Sequence, residues 1–316
     1  GRVAFRIELT TPACPVKDQM EQAARDLVGA LPGVETVDVT MSSRVRQAPA
    51  SRSDTTIPGV RHMVAVASGK GGVGKSTVAV NLACSLAATG ASVGLLDADV
   101  YGPSIPIMMG LRTSRPDVSP EGTLVPLERF GLQMMSIGFI AEEETPVIWR
   151  GPLVGRLIQQ FLSDVDWGEK DYVIVDLPPG TGDAQLTLSQ SAPLAGAVVV
   201  TTPQEVALED VRRAVRMFEK VNVPVLGIVE NMAYFQCPDC GNRHEIFSHG
   251  GGEKAAAQYE VPFLGEIPIS MAVRAAGDSG VPVVVGHPDS PEGIAFQAVG
   301  GEVARQLSIL ALPEPA

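Results

Sequence analysis

Gly69-Lys70-Gly71-Gly72-Val73-Gly74-Lys75-Ser76-Thr77 is the stretch on which the reading of the whole chain turns. It contains the pattern G-x-x-x-x-G-K-[ST], with Gly69, Gly74, Lys75 and Ser76 at the required spacing. Upstream, Met63 to Ala67 is an apolar run of strand type. Downstream, Ser76 to Ala88 places Val80, Leu82, Ala83, Leu86 and Ala87 at helical spacing, and Gly90 is positioned to end the helix. In a strand, loop, helix context the pattern becomes a physical site. The glycines let successive backbone N–H groups turn inward on an anion, and the helix N-terminus adds partial positive charge. Lys75 reaches the outer phosphates and the Ser76 hydroxyl can ligate magnesium. The alternative, a glycine-rich turn followed by a chance Lys-Ser, does not account for the flanking elements. Nucleotide binding through residues 69–77 is therefore the first expectation.

Working outward, the same logic recurs. Ser92 to Leu96 reads as a buried strand that ends in Asp97-Ala98-Asp99, and Tyr172 to Val175 as another that ends in Asp176 before Leu177-Pro178-Pro179-Gly180-Thr181-Gly182-Asp183. Carboxylates at the carboxyl ends of parallel strands lie at the crevice where open α/β sheets bind ligands. Further strands are expected at 131–137, 197–201, 223–229 and 263–267, the third ending at Glu230-Asn231-Met232. Helices are expected at 151–165, 205–221, 252–259, 271–276 and 292–310. Alternating strands and helices imply an α/β fold with a mostly parallel sheet flanked by helices.

Residues 1–46 read as a separate α+β unit: a strand at 3–9, an amphipathic helix at 16–31 broken by Pro32-Gly33, and a strand at 34–41. Two strands and one helix make a small core, so an element preceding residue 1 is expected to be missing. Residues 47–59 are polar, interrupted by proline, and read as a linker. The remainder, 60–316, is the nucleotide-binding domain. A net charge of −12 argues against a protein that coats nucleic acid and leaves no basic anchor for acidic lipid. No apolar run approaches the ~20 residues of a membrane span, and no signal peptide is visible, so a cytoplasmic location is expected.

Four cysteines in 316 residues are too few for a disulfide framework. Cys84 lies on the alanine-rich side of the helix after the phosphate loop and reads as a small core residue. Cys14 precedes a helix N-terminus, which suits either a reactive thiolate or a small residue in a turn. Cys237-Pro238-Asp239-Cys240 supplies two thiolates to one ion, whereas tetrahedral zinc and ordinary iron–sulfur clusters take four ligands. Two routes complete the set: the same pair from a second chain, or His244 and His249 of the same chain.

Lys70 goes beyond the basic phosphate-loop pattern, and with it the loop closely resembles that of the MinD/ParA/nitrogenase-iron-protein branch of nucleotide hydrolases. That resemblance implies a homodimer in which Lys70 crosses to the partner's phosphates, as an arginine finger does. It implies that Asp99 helps to position magnesium or the attacking water, with Asp97 in support, and that Asp176 lies on the metal side. The segment after Asp176 would sense the γ-phosphate, and Asn231 would contact the base. The C-P-x-C-G setting at 237–241 and Phe247-Ser248-His249-Gly250-Gly251-Gly252 are similar to those of Mrp/ApbC-type iron–sulfur cluster carriers. Leu9 to Pro15 and the Leu-Pro-Gly-Val turn at 31–34 resemble the small iron–sulfur-assembly-type domain often fused to them. The resemblance thus implies ATP, Mg2+ and a [4Fe–4S] cluster shared by two protomers. It also implies slow ATP hydrolysis coupled to cluster loading or transfer, with cluster donors and apo iron–sulfur proteins as partners. The competing expectation is a nucleotide-switch ATPase with structural zinc at Cys237 and Cys240.

Overall fold

The structure is a computed structural model that describes residues 1–46, 57–140 and 151–312. The expected linker therefore lies mostly outside the described residues. Its last three positions, 57–59, are described, and the carbonyl of Gly59 accepts a hydrogen bond from Lys170 N.

The N-terminal unit comprises β1 (Arg2–Leu9), α1 (Lys17–Gly29) and β2 (Thr36–Ser43). β1 and β2 pair in parallel from Arg2↔Thr36 to Leu9↔Ser43, so the helix serves as their crossover. The nucleotide-binding region follows as β3 (Val60–Ala67), α2 (Lys75–Ala88), β4 (Val93–Asp97), α3 (Ile105–Met108), β5 (Asp117–Val118), β6 (Leu124–Val125), β7 (Leu127–Arg129), β8 (Leu132–Ser136), α4 (Gly151–Ser163) and β9 (Lys170–Asp176). It continues through α5 (Asp183–Ser191), β10 (Leu194–Thr201), α6 (Glu205–Lys220), β11 (Val225–Gln236), β12 (Arg243–His244), α7 (Gly251–Gln258), β13 (Phe263–Ile269), α8 (Met271–Ser279), α9 (Val283–Gly286) and α10 (Pro291–Leu310).

The main sheet runs β12-β11-β10-β3-β9-β4-β8-β7, with β13 also on β11. Its interior pairs are parallel; β7–β8 and β11–β12 are antiparallel. Helices cover both faces, which is why β3, β4 and β9 are apolar on consecutive residues rather than on alternate ones. Met63 to Ala67 and Val173 to Val175 are all buried, and Phe139, Phe161, Trp167 and Phe218 fill the space between sheet and helices. The strand expected to end by residue 232 bulges there, with Met232 at φ 56°, and runs on to Gln236: β13 pairs through Asn231 and again at Phe235, and β12 pairs with Phe235 and Gln236.

The N-terminal unit packs on the opposite end of the sheet from the phosphate loop. Leu9, Thr11, Ala13 and Val45 are buried, Thr11 Oγ1 lies 2.9 Å from the Tyr172 hydroxyl, and His62 Nε2 lies 2.7 Å from the Arg46 carbonyl. The His62 and Tyr172 rings stack at 5.9 Å. Burial pushes the Tyr172 phenol up to about 12 and the His62 imidazole below its usual value, so both rings are held neutral. By contrast α1 buries no residue, and Leu27 is 73% exposed. Attachment thus depends on a small contact in which one buried hydrogen bond counts. Tyr172→Phe is predicted to lower the unfolding free energy by about 1 kcal/mol, measured by urea denaturation, while leaving nucleotide affinity unchanged.

Candidate functional site

β3 delivers the chain to the phosphate loop, whose shape is set by glycine at two close approaches. Gly74 sits at φ 81° as the N-cap of α2, and a Cβ there would lie 2.2 Å from Asn231 Nδ2. A Cβ on Gly69 would lie 2.3 Å from the Asp210 carbonyl oxygen on α6. Glycine is therefore required for packing as well as for the left-handed turn. Just before the loop the Ser68 hydroxyl donates to the Lys70 carbonyl at 2.8 Å, and within it Val73 is buried while Gly71 and Gly72 are exposed. The first turn of α2, which includes Ser76 and Thr77, presents the positive end of the helix to this loop.

Three carboxylates converge beside it. Asp97 and Asp176 are cross-strand neighbours at the ends of β4 and β9, both fully buried, and Asp99 is 8% exposed. Lys75, itself buried, places Nζ 2.7 Å from Asp176 Oδ1 and 3.5 Å from Asp99 Oδ2. The second Asp176 oxygen, Oδ2, is buried without a hydrogen-bond partner. An orphaned carboxylate oxygen next to a serine hydroxyl at a helix N-terminus suits a hard divalent cation, so Ser76, Asp176 and Asp99 fit magnesium. Asp97 instead accepts hydrogen bonds from Asp99 N (3.1 Å), Ile105 N (3.3 Å) and the Ser136 hydroxyl (2.9 Å). It thereby pins the turn that carries Asp99. Burial, reinforced by the charge of Asp176, pushes its carboxyl up to about 8. Asp176 is also raised by burial, against the opposing pull of Lys75.

The segment after Asp176 folds back onto the loop. Leu177 N donates to Val66 O and Gly180 N to Ser68 O, both at 3.0 Å. Pro179 thereby comes to within 4.0 Å of where a Gly71 Cβ would be. Lys70, half-buried, lies in this same stretch.

Asn231 lies in mid-strand rather than at a strand end, and its Nδ2 donates to the Val73 carbonyl at 2.8 Å. Asn231 also lines a cavity of about 490 Å³, together with Gly74, Thr77, Met232, Pro268 and Arg274. Six residues further along β11 come the cysteines. Cys237 and Cys240 occupy a tight hairpin closed by Cys237 N to Asn242 O (2.9 Å) and Gly241 N to Cys237 O (2.8 Å). Cys237 is half-buried and Cys240 exposed. Backbone N–H groups of Cys240 and Asp239, then the Cys240 thiol, hold the Cys237 thiol below its ordinary value and favour the thiolate.

The ParA family described as NUBPL iron-transfer P-loop NTPases matches residues 59–304. The chain belongs to that family. An iron–sulfur cluster assembly protein family matches residues 1–39. Among relatives, the iron–sulfur cluster carrier protein of Synechocystis sp. is 50% identical over 316 residues, spanning 99% of this chain and 90% of the relative. The iron–sulfur cluster transfer protein NUBPL of Mus musculus is 52% identical over 79% of each. Among solved structures, a nucleotide-binding protein of Archaeoglobus fulgidus in complex with ADP superposes with a TM-score of 0.67 at 44% identity, covering 76% of this chain and 93% of that one.

In this NUBPL-type NTPase the two routes for completing the cysteine set are not equal. Among the described residues, the group of three whose ligand atoms lie within 4.8 Å of one another is Glu230, His249 and Glu266, not the cysteine pair with a histidine. His249 is engaged by Arg243, and His244 lies against the Phe235 ring. Cys84 is a core residue, 3% exposed and pushed up to about 12 by burial; Cys14 is half-buried in the turn before α1. Sequence reasoning passed over Glu230, which is fully buried and accepts from Gly250 N at 3.1 Å and from Gly252 N, capping α7. The available signal was a carboxylate in an apolar strand followed later by a triple glycine. It also passed over Ser136 and Arg243, whose partners are distant in sequence. Gly74→Ala is predicted to weaken ADP binding by about tenfold or more through strain at positive φ and the clash with Asn231, measured by titration calorimetry on a variant that retains its helical circular dichroism.

Proposed function

We propose that this chain binds and hydrolyses ATP as a homodimer that holds a [4Fe–4S] cluster between two protomers and passes it to apo-proteins. The observation that carries the proposal is the continuity of β11: one strand connects Asn231, hydrogen-bonded to the phosphate loop, with the exposed hairpin bearing Cys237 and Cys240. Two thiolates per chain are half the set that a [4Fe–4S] cluster takes, and a second copy supplies the rest. The names of the Synechocystis and mouse relatives support the same reading.

Lys75 exchanges its contact with Asp176 for the outer phosphates. That frees Asp176, with Ser76, to hold magnesium. Magnesium held by Ser76, Asp176 and Asp99 would supply positive charge against the phosphate oxygens. Asp99, fixed through Asp97, positions the attacking water; Lys70 reaches the partner's phosphates; Pro178 to Gly182 registers the γ-phosphate; and Asn231 recognises the base. Closure of the dimer brings the two hairpins together, and slow hydrolysis resets them. We divide the chain into the unit 1–46, a linker 47–59 and the NTPase domain 60–316, and place it in the cytoplasm. No described helix is long and apolar enough to cross a membrane. The charge of −12 disfavours nucleic acid and acidic lipid as partners.

After anaerobic reconstitution, Cys237→Ala/Cys240→Ala is predicted to lose iron and sulfide and keep ATP binding. Lys75→Ala is predicted to lose both hydrolysis and delivery to an apo-protein. Zinc in place of iron in the unmutated chain, or full delivery by the lysine variant, would contradict the proposal.

A further inference from the structure

Arg243 is an exposed residue with unusually complete engagement. It opens β12, the return arm of the cysteine hairpin, opposite Gln236. Its Nη2 donates to Glu266 Oε2 at 3.0 Å and to His249 Nδ1 at 2.9 Å, and its guanidinium lies 3.8 Å from the centre of the Tyr234 ring. His249 Nδ1 in turn lies 3.4 Å from Glu266 Oε1. The side chain is 41% exposed and Glu266 only 22%, so the carboxylate end of the pair is anchored in the body of the protein.

The position of Glu266 gives this contact its meaning. On β13 it pairs with Glu230 of β11, and the next pair is Asn231↔Ile267. Arg243 therefore reaches back from beyond the cysteines to a point one residue from the asparagine that holds the phosphate loop. Between Asn231 and Phe235 the strand bulges, four residue steps of β11 standing against the two from Ile267 to Ile269 of β13, with Met232 at φ 56°; the arginine braces this irregular stretch on its open side. Tyr234 beneath the guanidinium, His249 before α7 and Glu266 on β13 fix it from three elements. A planar cation can lie over the Tyr234 ring while one of its nitrogens serves both Glu266 and His249, whereas a lysine ammonium does not reproduce that stacked geometry.

We propose that Arg243 is a positioning residue: its contacts with Glu266, His249 and Tyr234 set the orientation of the Cys237–Cys240 hairpin and transmit the state of the nucleotide site to it. The inference rests on the carrier reading for its biological meaning, but the coupling is measured without a cluster. Coupling is a difference between states, so the readout is a ratio.

The test is peptide-resolved alkylation of Cys237 and Cys240 in the full, cluster-free chain, with and without ATP and magnesium. In the unmutated chain nucleotide is expected to change the alkylation rate by about fivefold or more, the lower end of typical coupling between sites. In R243Q and in E266Q the ratio is expected to fall to near one, with ATP affinity and melting temperature retained. R243K is expected to keep an intermediate ratio, and the exchange R243E/E266R to recover part of it. A variant that merely loosened the hairpin would alkylate faster in both states without changing the ratio. An unchanged ratio in R243Q, or no nucleotide effect in the unmutated chain, overturns the proposal. Iron and sulfide content after reconstitution is measured on the same preparations. Its absence from the unmutated chain would sink the carrier reading, and its presence alongside an unchanged ratio would sink only the role of Arg243.

Discussion

Asp97, Asp99 and Asp176 are held at the ends of two neighbouring buried strands, and the ammonium of Lys75 faces Asp99 and Asp176. Burial raises the carboxyls of Asp97 and Asp176, and repulsion from a neighbouring carboxylate adds to it. Much of the architecture follows from this constraint. The parallel sheet brings β4 and β9 side by side so that Asp97 and Asp176 meet. Helix α2 presents its positive end and Lys75 to them. The Ser136 hydroxyl and the backbone N–H groups of Asp99 and Ile105 absorb what the lysine does not. Surplus carboxylate oxygen and an orphaned Oδ2 beside the phosphate loop suit a hard divalent cation.

The second organising feature is mechanical. β11 is the longest described strand in the sheet, and its two ends have different roles. Its buried first half touches the phosphate loop through Asn231; its half-buried second half leads through Gln236 into the cysteine hairpin. β13 pairs with both halves, from Ile228 to Asn231 and again at Phe235, so the strand is held on either side of the bulge at Met232. The Gly250 to Gly252 turn, capped by Glu230, closes over the same region. The nucleotide site and the cysteine hairpin are thus joined by backbone hydrogen bonds.

What was legible in the sequence was what short-range patterns encode. The phosphate loop, the strands ending in Asp97 and Asp176, the C-x-x-C and most helices were readable because glycine spacing, apolar runs and periodicity are local signals. The end of β11 was not, because Glu230-Asn231-Met232 looks like a strand terminus. Renewed pairing with β13 at Phe235, and with β12 at Phe235 and Gln236, carries the strand past Met232 to Gln236. The contact of Thr11 with Tyr172 was unreadable for the same reason: 161 positions separate them. Arg243 resembles any solvated arginine until Glu266, His249 and Tyr234 are placed around it. Asp97 was assigned only a supporting part, and its three donors give that part a definite form.

On the proposal made above, the cysteine pair is half of a site that a second copy of the chain completes. Native mass spectrometry of the anaerobically reconstituted protein with ATP and magnesium tests it most directly. The account predicts a dimer whose excess mass corresponds to one cluster of about four irons and four sulfides. A monomer carrying a single zinc ion, or a dimer that retains its cluster when Cys237 and Cys240 are replaced, would contradict it.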